Sequence, residues 1–225
     1  MEGNEMKIAG LKTVTDWQKF VPILKKDPSP ENWNEAYNRF LYERINTRYF
    51  KPIELLEDHG KNEGEGFAIV TIQCCLIEFL ASIRLRTTFT KPDTKKCNVS
   101  DCTNKIIDNT NKINPSKIFT SFIKSNKPFA TFFDSSNKAD SFYHGIRCSL
   151  LHDAQTRDKW LIRAKVRDEK LPKDALISWN GPTQKKILFR NNLQQALETY
   201  LVEYSKDLQQ CKSLQAAFIK KFNSF

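Results

Sequence analysis

Residues 67–86, FAIVTIQCCLIEFLASIRLR, constrain the fold more than any other stretch. The run is apolar almost all round, with Gln73 and Glu78 the only strongly polar groups before Arg84. A helix without a polar face must be covered on several sides, so it belongs at the centre of a fold. Two buried strands are the alternative, but the length and the lack of any turn residue favour one helix. A membrane span needs roughly 18 apolar residues, and here charges intrude. Glu78 then stands as a carboxylate in an apolar element, where an unpaired charge is costly. It reaches solvent, pairs with an arginine, or serves a function.

The segments around this helix are expected to supply its cover. Residues 13–26 read as a short amphipathic element interrupted at Pro22. A helix start follows, with Ser29 as cap and Pro30 in the first turn, and Trp33, Tyr37, Phe40 and Leu41 make a buried stripe. Pro52 is expected to turn the chain into another short helix, and His59 to lie in an exposed Gly-rich loop. Residues 87–114 are polar and irregular, a long surface connection with a turn of helix at Lys105–Ile107. A short basic helix at 115–125 buries Ile118, Phe122 and Ile123. Lys159–Val166 alternates as a strand does, with Trp160, Ile162, Ala164 and Val166 on one side. ALISW, a turn at Asn180-Gly181-Pro182 and KKILF complete a small antiparallel appendage. Leu193, Leu197, Tyr200, Leu201, Tyr204 and Leu208 then form one stripe of a long helix, and a last helix follows. The expected architecture is mainly α, an antiparallel helical bundle with a small β-hairpin after the 141–157 helix. Its parts are an N-terminal helical extension (1–63), a core (64–210) with the hairpin inserted at 159–190, and a C-terminal helix (211–225).

Charge narrows the partners. The net charge is +10, and 86–127 holds nine basic residues against Asp93, Asp101 and Asp108. Such an excess favours a polyanion, most simply RNA or DNA, with Lys91, Lys95, Lys96, Lys117 and Lys124 as candidate contacts; a solvated lysine surface is the plainer reading. The six cysteines need form no disulfide framework in a chain with this much core, and Cys74-Cys75 read as small core residues. Cys97-x4-Cys102 lacks the second half of a zinc site. With no apolar leader visible at the N-terminus, a soluble cytoplasmic protein is expected, with no membrane partner and no cofactor.

Two of the three histidines fall in SFYHGIRCSLLHDAQTR, residues 141–157. Asp134 or Ser135 can cap a helix running to about Thr156. By helical geometry Ala139, Phe142, Tyr143, Leu150 and Ala154 lie within about 80° of Ile146, the core face. His144, Cys148, Leu151, His152 and Gln155 lie opposite, and Arg147 sits at the margin. A second face bearing Leu and Cys but no Lys or Glu points to burial against a partner helix, within the chain or across a dimer. Three readings compete there. His144, Cys148 and His152 at i, i+4, i+8 could hold a metal, though a straight helix sets three ligands poorly. The histidines could be satisfied structurally. Or a histidine could move a proton while Arg147 holds a phosphate, as in phosphodiester cleavage.

The phrase FYHGIRCSLLHDAQT, following the apolar helix GFAIVTIQCCLIEFL, resembles a bacterial plasmid- and genome-encoded family of the HEPN superfamily, whose signature is Arg-x(4–6)-His. The likeness extends over roughly residues 64–210. It implies a helical bundle that homodimerises through the motif helices. It also implies metal-independent RNA cleavage leaving 2′,3′-cyclic phosphate ends, in a toxin–antitoxin or anti-phage setting with an antitoxin or defence-system partner. Arg147 and His152 are the positions that match catalytic residues, with Glu78, His144 and Cys148 in support. Cys148 departs from the polar residue that commonly follows the arginine, and a cysteine is a weak hydrogen-bond partner; His144 is the candidate to take over that task. A catalytically inactive HEPN-like module that binds RNA or assembles with partners is the alternative.

Overall fold

The computed structural model describes residues 5–60, 63–84, 114–181 and 184–225. Two short strands, β1 (Lys7–Ala9) and β2 (Lys12–Thr13), lead into α1 (Val14–Lys26). Thr13 caps α1: its hydroxyl accepts from the Asp16 N–H, and the Asp16 carboxylate accepts from the Thr13 N–H. That reciprocal pair satisfies two otherwise orphaned donors. Helix α2 (30–59) joins α-helical Pro30–Ala36, Glu43–Ile45 and Lys51–His59 through π-helical Tyr37–Tyr42 and Asn46–Phe50. Then come α3 (Glu65–Arg84), α4 (Pro115–Ser125) and α5 (136–153). The sheet strands β3 (Trp160–Arg163), β4 (Ile177–Gly181) and β5 (Lys185–Phe189) precede α6 (Arg190–Gln210) and α7 (Lys212–Phe222).

The fold is mainly helical, and α3 lies at its centre, in contact with α2, α4, α6, α7, the end of α5 and β3. Its residues Ile69, Val70, Leu76, Ile77, Leu80, Ala81 and Ile83 are buried. By length and composition α3 could cross a bilayer despite Glu78, contrary to the expectation from its charges. Yet 67% of that window is buried inside the protein, as befits a core helix. One hydrophobic cluster runs from Ile8 to Phe222, so the first and last helices share the same interior. Trp17 of α1 stands edge-on to Phe40 of α2 and against Phe222 of α7, and its indole N–H donates to Asn223 Oδ1 at 2.8 Å. The expected stripes on α2, α4 and α6 are all buried.

Several expectations are corrected. Pro22 does not interrupt α1. Its ring lies on the exposed face, as does Gln18, whose carbonyl loses its usual donor to water, while Trp17, Phe20, Val21 and Leu24 bury the other face. Pro52 likewise turns nothing: it follows the wide π turns of Asn46–Phe50 and sits in the first turn of the α segment they lead into, and His59 ends that helix. Third, the sheet is not purely antiparallel. β5 lies between β3 and β4, antiparallel to β4 and parallel to β3. Residues 164–176 carry the chain past β3, so the β4–β5 hairpin docks with its second strand innermost. β3 itself stops at Arg163, short of Val166.

Candidate functional site

The site grows from α5. Ser135 provides the cap, its hydroxyl accepting from the Lys138 N–H, while Asp134 pairs with the Lys138 ammonium at 2.8 Å. Ala139, Phe142, Tyr143, Ile146 and Leu150 are buried, as the helical spacing requires. The middle of the helix, Tyr143–Cys148, is a π turn between α-helical Ser136–Phe142 and Ser149–Asp153. There the buried Ser149 hydroxyl donates to the His144 carbonyl at 2.8 Å. The helix ends at Asp153, before the expected Thr156, because Ala154 adopts a left-handed conformation (φ 53) and is exposed rather than part of the core face. That turn brings the chain back on itself. The Arg157 N–H donates to the Gly145 carbonyl at 3.0 Å, and the Trp160 indole lies on Gly145. A Cβ at 145 would stand 2.4 Å from Trp160 Cδ1, so only glycine admits the indole. Glycine inside a helix costs about 1 kcal/mol against alanine, which is the sequence signal that something approaches closely there.

Arg147, at the margin of the core face, reaches Glu78 of α3: Nη2 lies 2.7 Å from Oε1, with side chains 17% and 19% exposed. This settles where the odd carboxylate of the central helix goes. The guanidinium also lies 5.4 Å from the Tyr143 ring centroid, and among the described residues Nη1 has only Cys148 Sγ, at 4.0 Å. Burial works against the charge on Arg147, but the Glu78 carboxylate outweighs it and holds the guanidinium's pKa above its ordinary value. Burial pushes the Tyr143 hydroxyl up to about 12, and burial with Glu78 pushes the Cys75 thiol up. Arg147 therefore stays a cation at neutral pH, paired with Glu78, beside a Tyr143 hydroxyl and a Cys75 thiol that burial keeps protonated.

The other motif residues face outward. His144, Leu151, His152 and Gln155 are exposed and Cys148 is half-buried. Leu151, at 42% exposure, is the apolar side chain left uncovered on this face. Asp153 pairs with Arg157 at 2.8 Å, one turn on. Among the described residues no three His, Cys, Asp or Glu side chains converge, so His144, Cys148 and His152 do not form a metal cluster within the chain. Lys117 and Lys124 are exposed on α4, and Lys124 donates to Ser136 Oγ at 2.7 Å. Ser136 precedes Arg147 by eleven residues, about 16 Å along a helix, so this lysine marks the far end of α5. Lys91, Lys95, Lys96, Cys97, Cys102 and the helical turn at Lys105–Ile107 lie outside the described residues. A groove of about 330 Å³ between α2 and α6, lined by Tyr37, Asn38, Tyr42, Val202, Ser205 and Lys206, contains none of the motif side chains. No known protein family model, curated protein or solved structure matches the chain.

Proposed function

We propose that the protein is a metal-independent endoribonuclease of HEPN type, acting as a homodimer with a composite site of Arg147 and His152 from both chains. The observation that supports this most is the division of labour along one helix. Arg147 is held charged and oriented by Glu78, with Nη1 meeting only Cys148 Sγ among the described residues, while His152 is exposed five residues on, next to the uncovered Leu151. In this reading Glu78 is a positioning residue that grips one nitrogen of the guanidinium fork and leaves the other for a phosphate oxygen. His152 takes the proton from the ribose 2′-hydroxyl or returns one to the leaving oxygen. The neighbouring 2′-oxygen attacks the phosphorus, the 5′-oxygen leaves, and a 2′,3′-cyclic phosphate remains. A toxin–antitoxin or anti-phage setting in the cytoplasm is part of the same proposal, by resemblance alone.

The test is cleavage of mixed RNA in EDTA by wild type, Arg147→Ala and His152→Ala. Wild type is expected to leave cyclic phosphate ends, and each variant to lose at least about a hundredfold in rate, the typical worth of a positioned acid–base group. Equal cleavage by all three, or none by wild type at high concentration, sinks the proposal. A second reading rests on the same ion pair. If Glu78 serves only to neutralise Arg147, the chain is a non-catalytic RNA-binding or assembly module, which dimerises and is indifferent to His152→Ala.

A further inference from the structure

A different cluster of cations forms no ion pair among the described residues. Arg44 of α2 and Lys221 of α7 flank the same two rings. Arg44 Cζ lies 4.1 Å from the Phe225 centroid and 5.3 Å from that of Phe79, and Lys221 Nζ lies 5.7 Å and 5.8 Å from them. Arg48, one turn along α2 from Arg44, donates from Nη2 to the Lys7 carbonyl at 2.8 Å, and Arg44 Nη1 donates to the Ile8 carbonyl. Tyr49 stacks on Phe79, with centroids 6.2 Å apart and planes at 21°. Arg44 Nε is buried without a hydrogen-bond partner. Among the described residues none of the three cations forms an ion pair, and Glu43, next to Arg44 in sequence, lies over Gly10 instead.

Aromatic faces offset part of the cost of desolvating a cation, but they bring no net charge. Arg44 is most depressed by burial, to about 10, and next by the charge of Arg48; Lys221 is lowered by burial and then by Arg44. The cations thus repel each other at a partly dehydrated place, the condition that an anion relieves. A planar fork and a point charge, backed by rings, suit the several oxygens of a phosphate. We propose that Arg44, Arg48 and Lys221 form a phosphate-binding site at the junction of α2, α3 and α7. The phosphate comes from an RNA strand or from a free phosphate compound. The site stands independently of the cleavage proposed above, because it contains neither Arg147 nor His152.

Arg44 and Arg48 both hold β1, through the Ile8 and Lys7 carbonyls, so the test rests first on Lys221→Gln, which touches neither contact, and pairs it with Arg48→Gln checked for wild-type folding by circular dichroism. Pyrophosphate binding is measured by calorimetry for wild type, the two single variants, the double variant and Arg147→Ala. Loss of one charge-assisted contact is expected to weaken binding roughly tenfold in each single variant, while Arg147→Ala binds as wild type. In a second arm, a fluorescent 12-nucleotide oligouridylate is competed with pyrophosphate. Competition, together with a weaker salt dependence in Lys221→Gln, identifies RNA as the source of the phosphate. Pyrophosphate binding without competition identifies a free phosphate compound. Identical pyrophosphate affinity in wild type and the double variant, or no binding to wild type at millimolar concentration, overturns the site.

Discussion

The two ends of the Arg147–His152 motif differ in kind. At the Arg147 end the backbone and one nitrogen of the guanidinium are committed: Gly145 lies under Trp160, Tyr143 beneath the guanidinium, and Arg147 Nη2 on Glu78. At the His152 end the motif side chains are not: Leu151 and His152 are exposed, and past Asp153, which pairs with Arg157, the chain turns left-handed at Ala154. An arginine that must meet a phosphate in one orientation gains from a rigid setting, since preorganised charge costs no rearrangement at reaction. A group that must be completed by a second chain has to stay on the surface. Under the proposed function, the fold would build one half of the site and leave the other to a second copy.

The sharpest way to break the committed end is Gly145→Ala. The new Cβ collides with an indole that is 2% exposed and wedged against Phe142 and Trp179, so the indole must leave its seat. A loss of about 3–4 kcal/mol is expected in urea unfolding, comparable with deleting a buried aromatic ring. Next in size is Glu78→Ala, which strands the Arg147 charge. The loss is about 2–3 kcal/mol, below that of a fully buried pair because both side chains keep some contact with water. The double change Glu78→Ala with Arg147→Met should recover most of it, which a double-mutant cycle checks.

Alkali probes the same end more gently. Burial pushes Tyr143 and Tyr200 up to about 12, whereas the unfolded chain releases these protons near 10.0. The unfolded state therefore loses its protons first, so stability is complete below pH 10 and falls as the pH rises from 10 towards 12. Tyr200→Phe, at the buried site packed on Phe122, should flatten that decline in pH-dependent urea unfolding. Smallest of all on stability is Leu151→Glu at the uncommitted end, within about 0.5 kcal/mol for an exposed position.

Much of this is legible in the amino-acid sequence. An apolar run with no polar face had to be the centre, and the 3–4 residue stripes of α2, α4 and α6 named their own buried sides. Within α5 the same spacing separated Phe142, Ile146 and Leu150 from Leu151 and His152. What spacing does not encode is partnership across the chain. Glu78 was conspicuous, but nothing in sequence ties it to Arg147, sixty-nine residues away. Nor could alternation in three short strands tell which one lies in the middle. The helix end at Ala154 carries no Gly or Asn to announce it; the docking of Trp160 on Gly145 imposes it. Pro22 misled because a proline on a wet helix face breaks little when the opposite face is well buried.

The claim that the uncommitted end is finished by a second copy is tested most directly with Leu151→Glu, by measuring its sedimentation and its RNA cleavage on the same sample. The account predicts a folded monomer with wild-type helicity that no longer cleaves RNA, because a charge is placed where the two motif helices meet. A variant that remains a dimer, or a monomer that cleaves at the wild-type rate, would contradict it.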